Sequence, residues 1–240
     1  MLLPSTQSLP QPTSRQYEAP AAVVVSLDAD ASRVWTARLR QAGRGHLSTL
    51  AWGDSRAYQL LLARPGTLAL LDCPDHLPSS ELAPYVRALS ILAPVAVVAP
   101  SGTVPRELLD AGALDVLPRQ APAAELHART MADLRWLRRN GWVRKDERTR
   151  PNDPDDVLHR SRVGSKKSQA LLLRILTASA RRLCCHDIQL LLGEPGKPMS
   201  APALRGRLCR LEPLLSALGY TLVRSRQWGH ETLQVRPKAP

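Results

Sequence analysis

Residues 65–72 have the sequence Pro-Gly-Thr-Leu-Ala-Leu-Leu-Asp, and this stretch decides the fold. Pro65 and Gly66 are turn residues, the run that follows is apolar as far as Leu71, and Asp72 ends it. An apolar run of this length after a turn predicts a strand that is buried on both faces, which is typical of a parallel sheet.

The same pattern repeats on both sides of this strand. Apolar runs at 22–25, 46–52, 94–99 and 115–117 alternate with helical patterns at 32–42, 55–64, 81–92, 104–111 and 122–139. Short connections between strands and helices predict a parallel sheet with helices on both faces. We therefore expect a doubly wound, five-stranded α/β domain over residues 21–139.

The rest of the chain divides into three segments. Residues 1–20 are rich in Pro, Ser, Gln and Thr, which predicts a disordered tail, and the polar residues 140–165 are typical of a linker. Residues 166–240 contain three helical patterns, at 168–178, 186–192 and 200–218, and then two strands, at 220–226 and 231–235. This order predicts a winged helix, and the chain is long enough for each domain to bury its own core.

Positive charge is concentrated in the C-terminal half. Residues 135–240 contain 22 Lys and Arg against 9 Asp and Glu, a balance of +13, whereas residues 1–134 contain 11 against 12. Such a field indicates a polyanionic partner, of which nucleic acid is favoured over a membrane surface because no amphipathic helix presents a broad apolar face. A solvated basic surface is the alternative.

Several function classes are not expected. No apolar run is long enough for a membrane span, and Pro4 interrupts the apolar start, so we expect a cytoplasmic protein. No glycine-rich phosphate loop or Gly-x-Ser-x-Gly motif is present, so we expect neither an enzyme nor a cofactor. The sequence Cys184-Cys185-His186 together with Cys209 lacks the usual metal-ligand spacing, so buried or neutral helix positions are favoured over a metal site.

Residues 21–139 resemble the receiver domain of two-component response regulators, which has a flavodoxin-like (CheY-like) fold. Residues 65–72 are similar to the third strand and its phospho-accepting aspartate, so the resemblance makes Asp72 the candidate acceptor. Residues 94–99 are similar to the fourth strand and residues 109–117 to the approach to the fifth.

Most of the receiver chemistry is missing, however. Aspartyl phosphorylation needs Mg²⁺, which the family holds through an acidic pair that aligns here with Ser26 and Leu27; Asp28 lies one position later. The family hydroxyl residue is replaced by Ala99 and the family lysine by Arg119. Asp72 is therefore either a working phospho-acceptor or, as we favour, a relic carboxylate that is hydrogen-bonded or paired with Arg119. Dimerisation through the face between Val104 and Trp136 is what the resemblance implies.

Residues 166–240 resemble the winged-helix effector domain of OmpR/PhoB-type regulators, through the segments 170–176, 208–215 and 223–229. Pro213, within the third helix, departs from the family pattern and should kink or end that helix. Leu204, Leu208, Leu211 and Leu215 recur at the helical period and are expected to face the core.

The basic residues of this half are the candidates for DNA contact. Arg205 and Arg210 are expected on the exposed face of the third helix, around Gly206, with Arg207 nearer the core and reaching a phosphate. Arg224 and Arg226 share one side of the wing. Trp228 at the wing tip is either a stacking wedge or a packed turn residue, and Ser200 is a helix cap that can also bind phosphate. Lys197 completes the set.

Together these features predict a transcription regulator that binds double-stranded DNA as a homodimer and works with RNA polymerase. Conventional aspartyl phosphorylation is not expected. Two alternatives stay open at this point: a regulator switched by phosphorylation of Asp72, and an adaptor whose basic module binds an acidic protein.

Overall fold

The computed structural model describes residues 22–28, 30, 32–33, 36–37, 47–63, 66–140, 167–179, 181–227 and 229–238. The predicted tail and all of the predicted linker except Asn140 lie outside these residues, as does most of the helix predicted at 32–42. Residues 32, 33, 36 and 37 of that helix are described and are helical.

The N-terminal half contains a five-stranded parallel sheet. Its strands are β1 (Ala22–Ser26), β2 (Ser48–Ala51), β3 (Leu68–Asp72), β4 (Val95–Ala99) and β5 (Asp115–Pro118). The order in the sheet is β2-β1-β3-β4-β5, with every neighbouring pair parallel. This is the flavodoxin-like order, so the predicted fold of this half is confirmed.

Helices cover both faces of this sheet. They are α1 (Ser55–Ala63), α2 (Ser79–Leu89), α3 (Pro105–Asp110) and α4 (Ala123–Arg139). Alternate residues of the buried strands point to opposite faces. On one face Val24 and Leu70 pack in a cluster with Leu126 and Leu137 of α4. On the other face the sheet packs in a cluster with α1 and α2.

The C-terminal half consists of helices around a small antiparallel sheet. Its elements are α5 (Lys167–Ala178), β6 (Leu183–Cys184), α6 (Cys185–Leu191), α7 (Ala201–Ala217), β7 (Tyr220–Gln227) and β8 (His230–Pro237), with strand order β6-β8-β7. The sequence did not predict β6, because two residues carry no recognisable period. Helix α7 runs through Pro213 to Ala217, so the proline does not end the helix.

The two halves share one hydrophobic core. Helix α1 contacts α5 and helix α2 contacts α6, and buried side chains of both halves form a single cluster. Hydrogen bonds also cross the boundary: Trp52 Nε1 donates to Leu190 O at 3.0 Å, and Gly196 N donates to Tyr85 Oη at 2.8 Å. The sequence predicted a separate core for each domain, and the apolar outer faces of α1 and α2 explain the difference.

None of the described helices combines the length and the apolar character that crossing a membrane requires.

Candidate functional site

Asp72 lies at the carboxyl end of β3, with 1% of its surface exposed. Strand β3 pairs with β1, where Asp72 is opposite Ser26. In this strand order the chain changes direction between β1 and β3, which is the edge where doubly wound α/β proteins bind their ligands. The predicted phospho-acceptor position is therefore at the functional edge of the sheet.

The side chains of Arg119 and Ser26 bind the Asp72 carboxylate. Arg119 Nη2 donates to Asp72 Oδ1 and to the backbone carbonyl of Cys73, and Arg119 Nε lies 3.6 Å from Asp75 Oδ1. The Ser26 hydroxyl lies 2.7 Å from Asp72 Oδ2, where it can donate. The structure thus brings together three of the residues predicted for this pocket.

The other two predicted pocket residues have different roles. Ala99 supplies a buried methyl group and a carbonyl oxygen that accepts the Arg119 backbone N–H at 2.8 Å. Asp28 Oδ1 accepts the Asp30 backbone N–H at 3.1 Å, and the Asp28 backbone N–H donates to Ser26 Oγ at 3.1 Å. Asp28 therefore belongs to a turn beside the pocket.

These residues do not fit a Mg²⁺ site. Proteins hold this cation through one or two carboxylates and further oxygen ligands, and here a guanidinium group lies directly against the carboxylate of Asp72. Arg119 is itself only 12% exposed in its side chain, so water screens this ion pair little. The neighbouring Cys73 does not offer a substitute nucleophile, because burial and the charge of Asp72 raise the pKa of its thiol.

The second candidate site is the outer surface of α7. Leu204, Leu208, Leu211 and Leu215 are all buried, as their spacing predicted. Arg205 and Arg210 are exposed. Gly206 leaves room on this helix: apart from its chain neighbours and the backbone of the helix itself, the atom nearest to a methyl group built there is Arg210 Nη1, at 3.8 Å.

Arg207 is half-buried on the same helix. Its Nη1 is buried and has no hydrogen-bond partner among the described residues. Burial, followed by the nearby positive charge of Arg210, lowers the pKa of Arg207. Arg207 and Arg210 are two cations that lie close together, and such a surface favours an anion.

The β7–β8 hairpin carries the remaining candidates. Arg224 Nη2 is 2.5 Å from Glu212 Oε1 on α7 and 3.9 Å from Cys209 Sγ, so this arginine is ion-paired within the domain. Arg226 is exposed. In the register of the hairpin it lies opposite Glu231. Trp228 lies outside the described residues.

Ser200 and Lys197 precede α7. The Ser200 side chain accepts the Ala203 backbone N–H at 3.3 Å, which makes it the N-cap of the helix. Lys197 is exposed. It lies in a tight turn that is closed by backbone hydrogen bonds between Lys197 and Glu194. Both Ser200 and Lys197 precede α7, which begins at Ala201.

Within the described part of the chain, no group of three His, Cys, Asp or Glu could hold a metal ion. Cys185 is buried, and burial raises the pKa of its thiol to about 12. Cys209 is exposed on α7.

Sequence reasoning missed the residues at the boundary between the halves. Trp52 was predicted only as the end of a strand, and Leu190 only as a helix position. Trp52 is 4% exposed and makes edge-to-face contacts with Tyr58 and Tyr85. The available signal was an aromatic residue at the functional edge of the sheet. That signal does not identify Leu190 as the partner of Trp52.

Comparison with solved structures finds distantly similar chains, and three of them illustrate the likeness. The receiver domain of a protein described as a Luxo repressor, from Vibrio parahaemolyticus, is 16% identical, with a TM-score of 0.36, and the match covers 51% of this chain and 95% of that one. A two-component response regulator from Clostridium difficile is 17% identical, with a TM-score of 0.33, over 48% of this chain and 94% of that one.

The third is NtrX from Brucella abortus, solved in complex with ADP. It is 13% identical, with a TM-score of 0.38, over 90% of this chain and 59% of that one, so this chain spans less than two thirds of NtrX. No protein-family model and no curated protein matches the sequence. The assignment of the α/β fold rests on the strand order.

Proposed function

We propose that this protein is a DNA-binding transcription regulator, built like a response regulator, whose receiver-like domain works without aspartyl phosphorylation. The observation that carries the proposal is helix α7, which buries four leucines and exposes Arg205 and Arg210. As a regulator of transcription, its partners are double-stranded DNA and RNA polymerase.

The element order of the C-terminal half supports a winged helix. Helix α5, strand β6, helices α6 and α7 and the β7–β8 hairpin follow one another, and β6 pairs with β8 at the edge of the hairpin. In a helix-turn-helix arrangement the second helix of the pair enters the major groove. Helix α7 takes that position, and the hairpin is the wing.

The charges on this surface divide into two classes of contact. Arg205 and Arg210 are suited to guanine edges and phosphates, because a guanidinium group donates two parallel hydrogen bonds. Arg207 is half-buried and its Nη1 is buried, so a phosphate contact from Arg207 would use the rest of its guanidinium group. The Arg224–Glu212 ion pair instead fixes the wing on α7. Arg226 and Lys197 are therefore better candidates than Arg224 for contact with the DNA backbone.

Recovery and sequencing of genomic DNA fragments bound by the full-length protein at physiological salt tests this function. Enrichment of sites that share a repeated half-site is expected. Arg210→Ala should lower the affinity for DNA and should weaken the preference for one base by about 1–3 kcal/mol at one position of the site. Arg138→Ala, at an exposed arginine on α4, is the matched control. Binding to random fragments that disappears steeply with salt would contradict sequence-specific binding and favour an acidic protein as the partner.

The geometry around Asp72 supports signalling without phosphate. An attacking carboxylate oxygen must be accessible and must share its charge with a metal ion. Asp72 is instead buried, paired with Arg119 and hydrogen-bonded by Ser26. The ion pair occupies the functional edge of the sheet in place of the phosphoryl group.

Incubation with acetyl phosphate and Mg²⁺, followed by intact-protein mass spectrometry, tests this second part. No phosphorylated species is expected for the natural chain or for Asp72→Asn. A phosphorylated species that Asp72→Asn abolishes would show a working acceptor and would overturn the proposal.

Exposed apolar side chains support the homodimer. Val104 (47% exposed), Leu109 (46%) and Trp136 (49%) are the large hydrophobic residues exposed in the described part of the chain, and they belong to α3, its N-cap and α4. All three lie in the stretch from Val104 to Trp136 that is predicted for dimerisation, and exposed apolar side chains suit a two-fold interface. Leu109→Asp should convert the dimer to a monomer in sedimentation velocity, and an unchanged dimer would contradict this face.

A further inference from the structure

A cleft of about 740 Å³ lies between the two halves of the chain. Leu27, Asp28 and Pro74 line it from the loops that follow β1 and β3, and α2 contributes Ser80, Glu81, Pro84 and Tyr85. The C-terminal half contributes His186 and Leu190 of α6 and, from the turn before α7, Pro195, Gly196 and Pro198. The cleft therefore combines two places where proteins bind small molecules, an interface between domains and the switch point of an α/β sheet.

The lining has an apolar floor and a polar rim. Leu27, Pro74, Tyr85 and Leu190 are buried and form the floor. The rim carries the half-buried carboxylate of Asp28 and four exposed residues, which are His76, Ser80, Glu81 and His186. An apolar pocket with a few convergent polar groups is the usual anatomy of a ligand site, and the volume is in the usual range.

The wall from the C-terminal half is held in place before any ligand binds. Gly196 N donates to Tyr85 Oη, and backbone bonds between Glu194 and Lys197 close the turn. Met199 N donates to Gln189 O at 2.9 Å, which fixes the chain after the turn to α6. A site that is already formed loses little conformational entropy on binding.

We propose that this cleft binds a small organic cation, an amine with an aromatic or apolar body. The described residues that line it include two carboxylates and no Lys or Arg, in a chain whose net charge is +12. The rim is thus a local acidic site on a basic protein. Glu81 and Asp28 bind the ammonium group, and the floor formed with Tyr85 and the leucines binds the apolar body.

A ligand in this cleft contacts both halves at once. Its occupancy therefore biases how the C-terminal half sits on the α/β half, and a ligand can shift such an equilibrium only through contacts that differ between the two states. Control of DNA binding by the ligand rests on the proposed function, but binding of the ligand itself does not.

Titration of the full-length protein with 2-phenylethylamine, followed by heteronuclear NMR, tests the site. The size-matched controls are 2-phenylethanol, which is neutral, and 3-phenylpropionate, which is an anion. The amine is expected to saturate and to bind at least tenfold more tightly than either control. Equal binding of all three probes, or no saturation by the amine at millimolar concentration, would overturn the proposal.

Two variants locate the binding. Glu81→Gln removes a rim charge from an exposed position and should weaken binding of the amine about tenfold, which corresponds to 1.4 kcal/mol. Ser80→Trp fills the cleft and should abolish binding. Amine binding that neither variant changes would place the ligand elsewhere, and Glu81→Gln decides the matter if Ser80→Trp does not fold. DNA binding is measured separately, so a failure of this site leaves the proposed function intact.

Discussion

The indole nitrogen of Trp52, in the α/β half, donates a hydrogen bond of 3.0 Å to the carbonyl oxygen of Leu190, near the end of α6. Residues 52 and 190 lie on opposite sides of the boundary between the two halves. The Trp52 backbone N–H also donates to Ser26 O at 2.8 Å, and the Ser26 side chain contacts Asp72. A single residue thus connects the Asp72 pocket with the helical half of the protein.

Replacing Trp52 by Phe should lower the free energy of unfolding by about 1 kcal/mol, because one buried hydrogen bond is lost. Leu190 O also accepts the Gly193 backbone N–H at 3.2 Å, so the substitution does not leave this carbonyl without a partner. Trp52→Ala removes the contacts with Tyr58 and Tyr85 as well and should cost about 3–5 kcal/mol. Urea unfolding measures both effects. In the monomeric Leu109→Asp background, Trp136→Phe at an exposed tryptophan is the matched control and should change stability by less than about 0.5 kcal/mol.

The shared core predicts that the halves stay together when the chain between them is cut. A protease recognition sequence inserted between residues 150 and 160 allows specific cleavage of the folded protein. The two fragments should elute together in size-exclusion chromatography, and the cleaved protein should unfold in a single transition, because the apolar interface persists. Separate elution of the fragments at micromolar concentration would show that the interface is too weak to hold them.

Arg119→Ala should destabilise the protein by about 3 kcal/mol, because it removes the cation that is paired with a buried carboxylate. The double variant Asp72→Asn, Arg119→Ala should recover part of this loss, since it removes the buried negative charge as well. Arg106→Ala is the control: Arg106 forms an exposed pair with Asp110 at 3.6 Å and should contribute less than about 1 kcal/mol. Equal effects of Arg119→Ala and Arg106→Ala in urea unfolding would contradict a structural role for the Asp72–Arg119 pair.

The sequence predicts most of the α/β half because its strands are short apolar runs between turn residues. Residues 95–99 and 68–72 are buried at every position, and such strands are recognisable from composition alone. The Arg119–Asp72 pairing could be anticipated as well, since the strand order brings the ends of β3 and β5 to one edge of the sheet.

The boundary between the halves could not be predicted, for a physical reason. Helices α1 and α2 each need one apolar face toward the sheet. Their additional apolar positions, which contact α5 and α6, indicate deeper burial in the sequence but do not indicate a second partner. Strand β6 is defined by its pairing with Leu233 and Thr232 rather than by its own two residues. The ion pair between Arg224 and Glu212 could not be predicted either, because the two residues are distant in sequence and no local pattern relates them.

Asp133 on α4 predicts a specific dependence of stability on pH. Burial and the nearby charge of Asp115 raise the pKa of Asp133 from 3.8 to about 6, against the opposing effect of Arg129. The folded protein therefore binds this proton more tightly than the unfolded chain does. The contribution of Asp133 to stability is fully present below about pH 4 and is lost as the pH rises through about 6.

Asp133→Asn should consequently be more stable than the natural chain at pH 8, by roughly 0.5–1 kcal/mol after allowance for solvent screening. The difference should vanish below about pH 4, where Asp133 is protonated in both states. Thermal unfolding measured from pH 3 to pH 8 gives this difference directly. Equal stability of Asp133→Asn and the natural chain at pH 8 would contradict the assignment to Asp133.

Gly206 separates stability from DNA binding, because the same methyl group should have opposite effects on the two. Alanine is favoured over glycine inside a helix by about 0.5–1 kcal/mol, and the nearest atom to the added Cβ is Arg210 Nη1 at 3.8 Å, so Gly206→Ala should stabilise the protein. If α7 lies in the major groove, that methyl group stands between Arg205 and Arg210 on the contact surface. It should then weaken binding to the recovered DNA site by roughly fivefold, which corresponds to about 1 kcal/mol of steric overpacking.

Gly193→Ala is the contrasting variant, because its Cβ would lie 2.6 Å from Lys197 O, and it should destabilise the fold. Unchanged DNA affinity in a stabilised Gly206→Ala protein would mean that this face of α7 does not approach the bases.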